Sequence, residues 1–285
     1  MAIVATGFFD GVHLGHRHVI STLVSSARER GGEAIVVTFR QHPRAVLQQD
    51  ARSLRLLTSA DEKEAILRSL GVDRIETLQF DREFASMTCA GYLGFLKDRM
   101  DCDAVVIGYD TRLGSDLAGS DEISAEASRL GLDIVMLGPC GDVSSTKIRQ
   151  ALRDGLVADA AQMLGYRYSL RGIVVPGKQL GRRLGFPTAN LQPADPLKQI
   201  PGRGVYLTRT EVLGRSYSSM TNVGDIVETN IFDFDDDIYS LDIRVEFIER
   251  IRDMKSFASL DDLSAQLGAD REMCRKLSEG RKYSK

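Results

Sequence analysis

The amino-acid sequence predicts an α/β chain of two domains: a doubly wound parallel sheet over residues 1–165, then a small antiparallel β-barrel with a C-terminal helix over residues 166–285. Three observations carry this reading. At 285 residues the chain exceeds the size at which one hydrophobic core keeps growing, so it is expected to divide. In the first half, "AIVVTF" and "AVVIG" are continuous apolar runs rather than alternating ones, the pattern of strands covered on both faces. Beyond Tyr166 the strands shorten and alternate polar with apolar residues between Gly, Pro and Asp clusters, as in a compact antiparallel barrel.

The elements follow in order. "AIVATGFF" opens as a strand, "HRHVISTLVSSARERG" continues as a helix, and "EAIVVTF" returns as a strand. A helix is expected around Asp61 to Leu70, a strand near Arg74 to Leu78 and a helix over Ala90 to Asp98. A strand in "CDAVVIGYD", a helix in "SDEISAEASRLG" and a strand in "LDIVMLG" complete the sheet, because strands alternating with helices run parallel. From Ser144, "SSTKIRQALRDGLVADAAQMLG" forms two short helices divided at Gly155, the natural linker. Strands are then expected in "YSLRGIVV", "GVYLTRTEVL", "RSYSSMTNV", "ETNIFDF" and "SLDIRVEFIERI". A closing helix, "SLDDLSAQL", is capped by Ser259 with Asp262 at its third position.

Composition excludes several classes of partner. A net charge of −3 and a pI near 5.9 disfavour nucleic acid and anionic membranes, which need a concentrated basic surface. A polyanionic ligand must therefore be met locally. No apolar stretch approaches the ~20 residues of a membrane span, and "MAIVATGFFDG" lacks the basic start and cleavage site of a leader, so a cytoplasmic location is expected. Cys89, Cys102, Cys140 and Cys274 are widely spaced with no CxxC pair, so reduced thiols are expected, with neither disulfide nor structural zinc. Nothing in the sequence specifies an oligomeric state.

The first candidate site is "GFFDGVHLGH", Gly7 to His16. An open parallel sheet binds ligands outside the carboxyl ends of its strands, and this stretch leaves the first strand at that rim. Glycines at Gly11 and Gly15 allow backbone N–H groups to approach an anion, and the helix near His16 offers its positive end. Gly7, Phe9 and Asp10 complete the candidate nucleotide-binding positions. His13 and His16 can donate hydrogen bonds to phosphoryl oxygens, which suits a transfer whose acceleration comes from positioning and charge stabilisation. The same spacing also fits a strand-to-helix turn whose histidines cap and pack.

The second candidate site is "GKQLGRRLGFPTANL". Gly177, Gly181 and Gly185 are spaced four apart among Lys178, Arg182 and Arg183, a basic loop able to fold over polyphosphate; a Gly-rich hairpin with solvated arginines reads equally well. It is not a Walker A loop, since the GxxxxGK[ST] spacing is absent. "PTAN" offers oxygen ligands, and one hydroxyl with nucleotide phosphates suffices for magnesium, which keeps several waters. Asp233, Asp235, Asp236 and Asp237 read as an acidic turn rather than a metal cage.

Together, "FDGVHLGH", "VVTFRQHPRAVL", "LLTSADEKEAILRSLGVD", "IGYD" and "SSTKIR" resemble the adenylyltransferase half of the bacterial bifunctional riboflavin kinase/FMN adenylyltransferase (FAD synthetase) family, over residues 3 to 165. "GRRLGFPTAN" resembles that family's riboflavin kinase domain, a six-stranded barrel, over about residues 168 to 270. The resemblance implies that riboflavin and ATP give FMN, and that FMN and ATP give FAD and pyrophosphate, both with magnesium. It implies that His13 and His16 contact ATP phosphates, that Ser145, Thr146 and Arg149 hold phosphates at a helix start, and that Asp110 lies in a nucleotide or flavin contact segment. It places Pro187 and Asn190 at the kinase nucleotide, Thr188 at magnesium, and Glu228 at the ribityl hydroxyl.

The chain also departs from the family. Thr111 and Leu113 stand where aromatics are usual, Asn230 stands where a histidine follows "ET", and "TNVGDIVETN" runs through without the usual Arg-Pro-Thr insertion. Without the resemblance, "SSTKIR" is a capped helix with solvated bases, and Glu228 is a strand-end carboxylate. A nucleotidyltransferase for another phosphorylated substrate and a flavin-binding regulator with reduced turnover share several of these features.

Overall fold

Strand β1 (Ala2–Thr6) explains the uninterrupted apolar runs: Ala2 and Val4 enter one core, Ile3 and Ala5 the other. β2 (Glu33–Phe39) divides likewise, with Ile35 and Val37 on one face and Ala34 and Val36 on the other. A strand buried on both faces has no polar face to show, which is why its sequence does not alternate. The computed structural model of the chain describes residues 1–43, 46, 54–177, 181 and 184–282. Its contacts divide the chain into two units, Met1–Ser145 and Thr146–Lys285.

In the first unit, β3 (Arg74–Leu78), β4 (Cys102–Gly108) and β5 (Asp133–Leu137) join β1 and β2 in a parallel five-stranded sheet ordered β3-β2-β1-β4-β5. The order reverses between β1 and β4, which marks the crevice where such sheets bind ligands. One face is covered by α1 (Leu14–Glu29) and α2 (Ala60–Ser69), which contribute Ile20, Leu23 and Leu67. After the short α3 (Arg82–Ala85), the opposite face is covered by α4 (Cys89–Met100) and α5 (Ser120–Arg129), with Leu93, Leu96 and Ile123. α2 begins at a capping box: Ser59 Oγ accepts the Glu62 N–H at 3.3 Å, and Glu62 Oε2 accepts the Ser59 N–H at 2.9 Å.

The expected linker forms α6 (Ser145–Arg153) and α7 (Val157–Leu164), with Gly155 between them. The second unit is a closed barrel ordered β10-β7-β6-β11-β8-β9. Its strands are β6 (Ser169–Val175), β7 (Ala189–Pro193), β8 (Gly204–Val212), β9 (Arg215–Val223), β10 (Val227–Ile231) and β11 (Asp242–Arg252). β7 was not expected: "PTANLQP" reads as loop, but Ala189 to Leu191 pair with β10 and Asn190 to Pro193 with β6, and this closes the barrel. β9 and β10 meet in a tight hairpin in which the Gly224 N–H donates to the Ile226 carbonyl at 3.1 Å. A row of hydroxyls with no exposed surface crosses β8, β9 and β10. Thr210 meets Ser219, Ser219 meets Thr208 and Thr208 meets Thr221 at 2.8 Å each, and Thr221 meets Thr229 at 2.9 Å.

The closing helix α8 (Leu260–Lys282) is longer than expected and starts at its predicted cap, where Ser259 Oγ accepts the Asp262 N–H at 3.1 Å. Leu267, Cys274 and Leu277 pack with Val205, Leu207 and Met220 of the barrel, which extends the helix past its polar middle. Arg252 clamps it through a bidentate pair with Asp270 at 2.7 and 3.0 Å, and Gln266 donates to the same carboxylate at 2.8 Å. Asp270 is only 3% exposed, so Asp270→Ala leaves a largely buried guanidinium without its partner and is expected to cost ~3 kcal/mol or more, read as a lower urea midpoint.

All four cysteines are free thiols; burial pushes Cys102 and Cys274 up to about 12. Among the described residues, no helix is long and apolar enough to cross a membrane.

Candidate active sites

The loop from Gly7 to His13 leaves the carboxyl end of β1, and the Gly7 N–H donates to the Val37 carbonyl at 3.0 Å. Its backbone enters the left-handed region at Phe9 (φ 53°), Gly11 (φ 79°) and Val12 (φ 36°). Glycine accepts such a φ freely, whereas Phe and Val do so only where the surroundings over-determine them. Asp10 supplies part of that constraint. Its carboxylate is 4% exposed and accepts the N–H groups of Leu57 and Thr58 at 2.8 and 3.3 Å, while the Gly11 N–H donates to Thr58 Oγ1 at 3.1 Å.

His13 caps α1: its Nδ1 accepts the His16 N–H at 3.4 Å. Gly15 lies between the two histidines with its α-carbon under the His13 ring. The imidazoles of His13 and His16 stack with centroids 3.6 Å apart, and Phe9 sets its edge against His16 at 5.3 Å. Burial, then the neighbouring His13 and Lys63, hold His16 well below the usual histidine range. His16 is therefore neutral at physiological pH. The pair offers imidazole N–H groups without fixed charge at the sheet's switch point.

Ser145 Oγ donates to the Asp10 carbonyl at 3.0 Å, tying the start of α6 to this loop. In the next turn Arg149 Nη2 donates to Thr146 Oγ1 at 3.4 Å. Asp110 is exposed in the turn after β4, where the Thr111 N–H returns to the Gly108 carbonyl at 3.1 Å. Lys63 was missed by sequence reasoning: "SADEKEAIL" reads as the solvated start of a helix, yet Lys63 is only 6% exposed.

In the barrel, Asn190, Glu228 and Asn222 occupy one row across β7, β10 and β9. Asn190 donates its amide to Glu228 Oε1 at 3.1 Å and accepts the Gly177 N–H at 3.1 Å, an orientation assigned from these neighbours. Asn222 lies 3.5 Å from Glu228 Oε2. A Cβ at Gly177 would overlap the Asn190 amide, so the close approach of loop and strand requires glycine there. Gly181 closes the next turn, its carbonyl accepting the Phe186 N–H at 2.8 Å, and Gly185 follows at φ 79°. Asn230 donates to the Pro187 carbonyl at 2.6 Å, fixing the motif's proline to β10. Lys178, Arg182 and Arg183 lie outside the described residues.

Two cavities meet at Thr188. One of ≈ 270 Å³ contains Glu228 and Asn222 and is walled by Phe186, Met220, Phe257 and Leu267. The other, of ≈ 90 Å³, is bounded by Pro187, Thr229, Phe234, Tyr239 and the exposed run Asp235 to Asp237. Thr188 and Glu228, forty residues apart in sequence, thus border one space. Among the described residues no cluster of three or more His, Cys, Asp or Glu could hold a metal unaided. The hard oxygens of Thr188 and Asn190 suit a magnesium ion that takes its remaining ligands from phosphates and water.

A rim of stacked imidazoles on a parallel sheet, joined in one chain to a barrel that sets a carboxylate beside a Thr-Ala-Asn motif, defines a two-site phosphoryl- and nucleotidyl-transferring enzyme. The FAD synthetase family matches residues 1–151 and the riboflavin kinase family residues 164–278. The chain belongs to the bifunctional riboflavin kinase/FMN adenylyltransferase family.

Two curated members illustrate the relationship. The chain is 32% identical over 290 residues to the bifunctional riboflavin kinase/FMN adenylyltransferase of Bacillus subtilis (strain 168), covering 95% of this chain and 90% of the relative. It is 33% identical over 288 residues to that of Escherichia coli (strain K12), covering 94% and 90%. A crystal structure from Streptococcus pneumoniae, described as a macrolide-efflux protein, superposes with a TM-score of 0.91 at 34% identity, over 96% of this chain and 93% of that one. That description is the other protein's own; its likeness here is one of fold.

Proposed function

We propose that residues 166–285 phosphorylate riboflavin with ATP to give FMN and ADP, and that residues 1–165 adenylylate FMN with a second ATP to give FAD and pyrophosphate. The observation that carries this reading is the meeting of Thr188 and Glu228 on an apolar cavity, in a chain that also holds the imidazole rim. The ≈ 270 Å³ cavity suits a flat aromatic ring with its ribityl chain toward Glu228, and the ≈ 90 Å³ cavity lies on the nucleotide side of Thr188.

In the kinase step, Glu228 accepts a hydrogen bond from the terminal ribityl hydroxyl and orients its oxygen toward the γ-phosphorus. The new O–P bond forms as the β,γ-bridging bond breaks and ADP leaves. Thr188 and the Asn190 side-chain oxygen would hold Mg²⁺, whose charge neutralises the phosphate oxygens. Gly177, Gly181, Gly185 and Pro187 shape the loop around the nucleotide.

In the adenylyl step the FMN phosphate oxygen attacks the α-phosphorus of ATP and pyrophosphate departs. The nucleophile is already anionic, so no base is required. His13 and His16 stabilise charge on the phosphoryl oxygens, and Ser145, Thr146 and Arg149 hold the phosphate chain.

Steady-state conversion of riboflavin with Mg-ATP, with FMN and FAD separated chromatographically, tests the whole reading. Sequential appearance of FMN and FAD is expected. Neither product would leave a flavin-binding regulator, and FMN alone would assign the first unit to another substrate. Arg149→Ala is expected to raise the ATP requirement of FAD formation about tenfold without altering FMN formation, since a charge-assisted bond contributes ~1.5 kcal/mol or more. Unchanged ATP dependence in both Arg149→Ala and Arg149→Lys would return α6 to a purely structural role.

A further inference from the structure

Among the described residues of the first unit, Lys63 is a buried cation that the reaction as described does not use. It reaches from α2 under the loop that carries the histidines. Its Nζ donates to the Phe8 carbonyl at 3.0 Å and to Thr38 Oγ1 at 2.9 Å, and sits 4.2 Å from the centroid of the Phe8 ring. Thr38 Oγ1 itself donates to the same carbonyl at 3.3 Å, and the His42 ring lies 4.5 Å from the Phe8 ring. The Phe8 carbonyl therefore receives two donors immediately before the left-handed sequence of Phe9, Gly11 and Val12. Left-handed non-glycine residues cost ~1–3 kcal/mol each and persist only under such over-determination. Leu57, Thr58 and Lys63 supply the constraint from one contiguous segment, residues 57–63, and meet Asp10, Gly11 and Phe8 on the loop.

A methyl-terminated side chain could fill this space without the cost of burying an ammonium group. What the ammonium group adds is its donors, which the Phe8 carbonyl and Thr38 receive. The ionisable groups that interact with it are Asp10 on the loop and His16 at the head of α1, with His42 across the Phe8 ring.

We infer that Lys63 is a positioning residue for adenylyl transfer: by donating to the Phe8 carbonyl and to Thr38 it holds the Phe8–Val12 loop, which leads into His13 and His16, in its strained form. The inference rests on the adenylyl-transfer reading of this unit. Burial brings the Lys63 ammonium down to about 8, with Asp10 opposing that shift, and Lys63 is one of the causes that lower His16. Above about pH 8 the cation is lost while an amine N–H still reaches the Phe8 carbonyl. Removing the donor loosens the loop.

The test uses the full chain with Lys63→Gln, which keeps a donor, and Lys63→Met, which keeps neither donor nor charge. Conversion of supplied FMN to FAD is measured, and riboflavin phosphorylation serves as the internal control of folding. In Lys63→Met, kcat for FAD formation is expected to fall ~100-fold, the effect of a misplaced catalytic group, with less change in the KM for ATP. Lys63→Gln is expected to fall less.

Unchanged kcat in both variants overturns the inference. So does a Lys63→Gln variant that falls as far as Lys63→Met, or slowing matched by equal loss of FMN formation, since neither fits a donor that positions this one loop. Absence of FAD formation by the wild-type chain would instead sink the adenylyl-transfer reading itself.

Discussion

Replacing His13 or His16 with Ala is expected to abolish FAD formation while FMN formation from riboflavin continues. One lost transition-state donor costs ~2.7–4 kcal/mol, so adenylyl transfer should slow ~100-fold to 1000-fold in either variant. The two substitutions should have similar effects, because the rings stack at 3.6 Å and removing one frees the other from its fixed orientation. Acid should do little until well below the ordinary histidine range. His16 is held below that range first by burial and then by His13 and Lys63, so its charge appears only as pH drops through the depressed value. Pyrophosphate release from supplied FMN and ATP reads the first activity, and FMN production from riboflavin reads the second. Equal loss of both in a folded variant would refute the separation of the sites.

The other large effect concerns the barrel. Glu228→Gln is expected to slow riboflavin phosphorylation ~100-fold to 10,000-fold, the range for losing a positioned acid–base group, while Mg-ATP binding stays nearly intact. Thr188→Ala is expected to weaken Mg-ATP binding itself. The distinction follows from position: Glu228 lies in the apolar cavity, whereas Thr188 borders both cavities and so meets the nucleotide before any flavin arrives. Gln preserves the shape and can turn its oxygen toward the Asn190 amide, leaving its NH₂ toward the more distant Asn222 at 3.5 Å. Both variants should still convert supplied FMN to FAD. Calorimetric titration with Mg-ATP beside phosphorylation rates decides the matter. Wild-type turnover in Glu228→Gln would remove that residue from the mechanism.

The sheet was legible in the sequence because both faces of β1 and β2 are buried, and runs such as "AIVVTF" record that directly. α2 was legible as a helix around Asp61 to Leu70, and the structure adds the local Ser59–Glu62 capping box that starts it. β7 was not, because a segment opening on Pro187 carries no strand pattern of its own and gains its conformation from pairing with β6 and β10. The far half of α8 was likewise hidden: only the packing of Cys274 and Leu277 on the barrel extends it. At the sites, His13 and His16 could be picked out by type and spacing, whereas Thr188 and Glu228 were assigned only through the family resemblance. Phe9 and Val12 gave no sign of their left-handed backbone, since neither is a glycine, and the burial of Lys63 depends on a loop some fifty residues earlier.

The hydroxyl row of the barrel has a consequence in simple proton counting. Thr210, Ser219, Thr208, Thr221 and Thr229 carry five protons among them, and four links consume four, so one proton is left over. A spare proton at either end of the row leaves all four links running in one direction. Thr229 is the member that borders the ≈ 90 Å³ cavity shared with Thr188. With the surplus there, every O–H points the same way, from Thr210 toward Thr229, and each oxygen is polarised by the one behind it. The row then acts as one aligned dipole inside the barrel, sealed from solvent at every member.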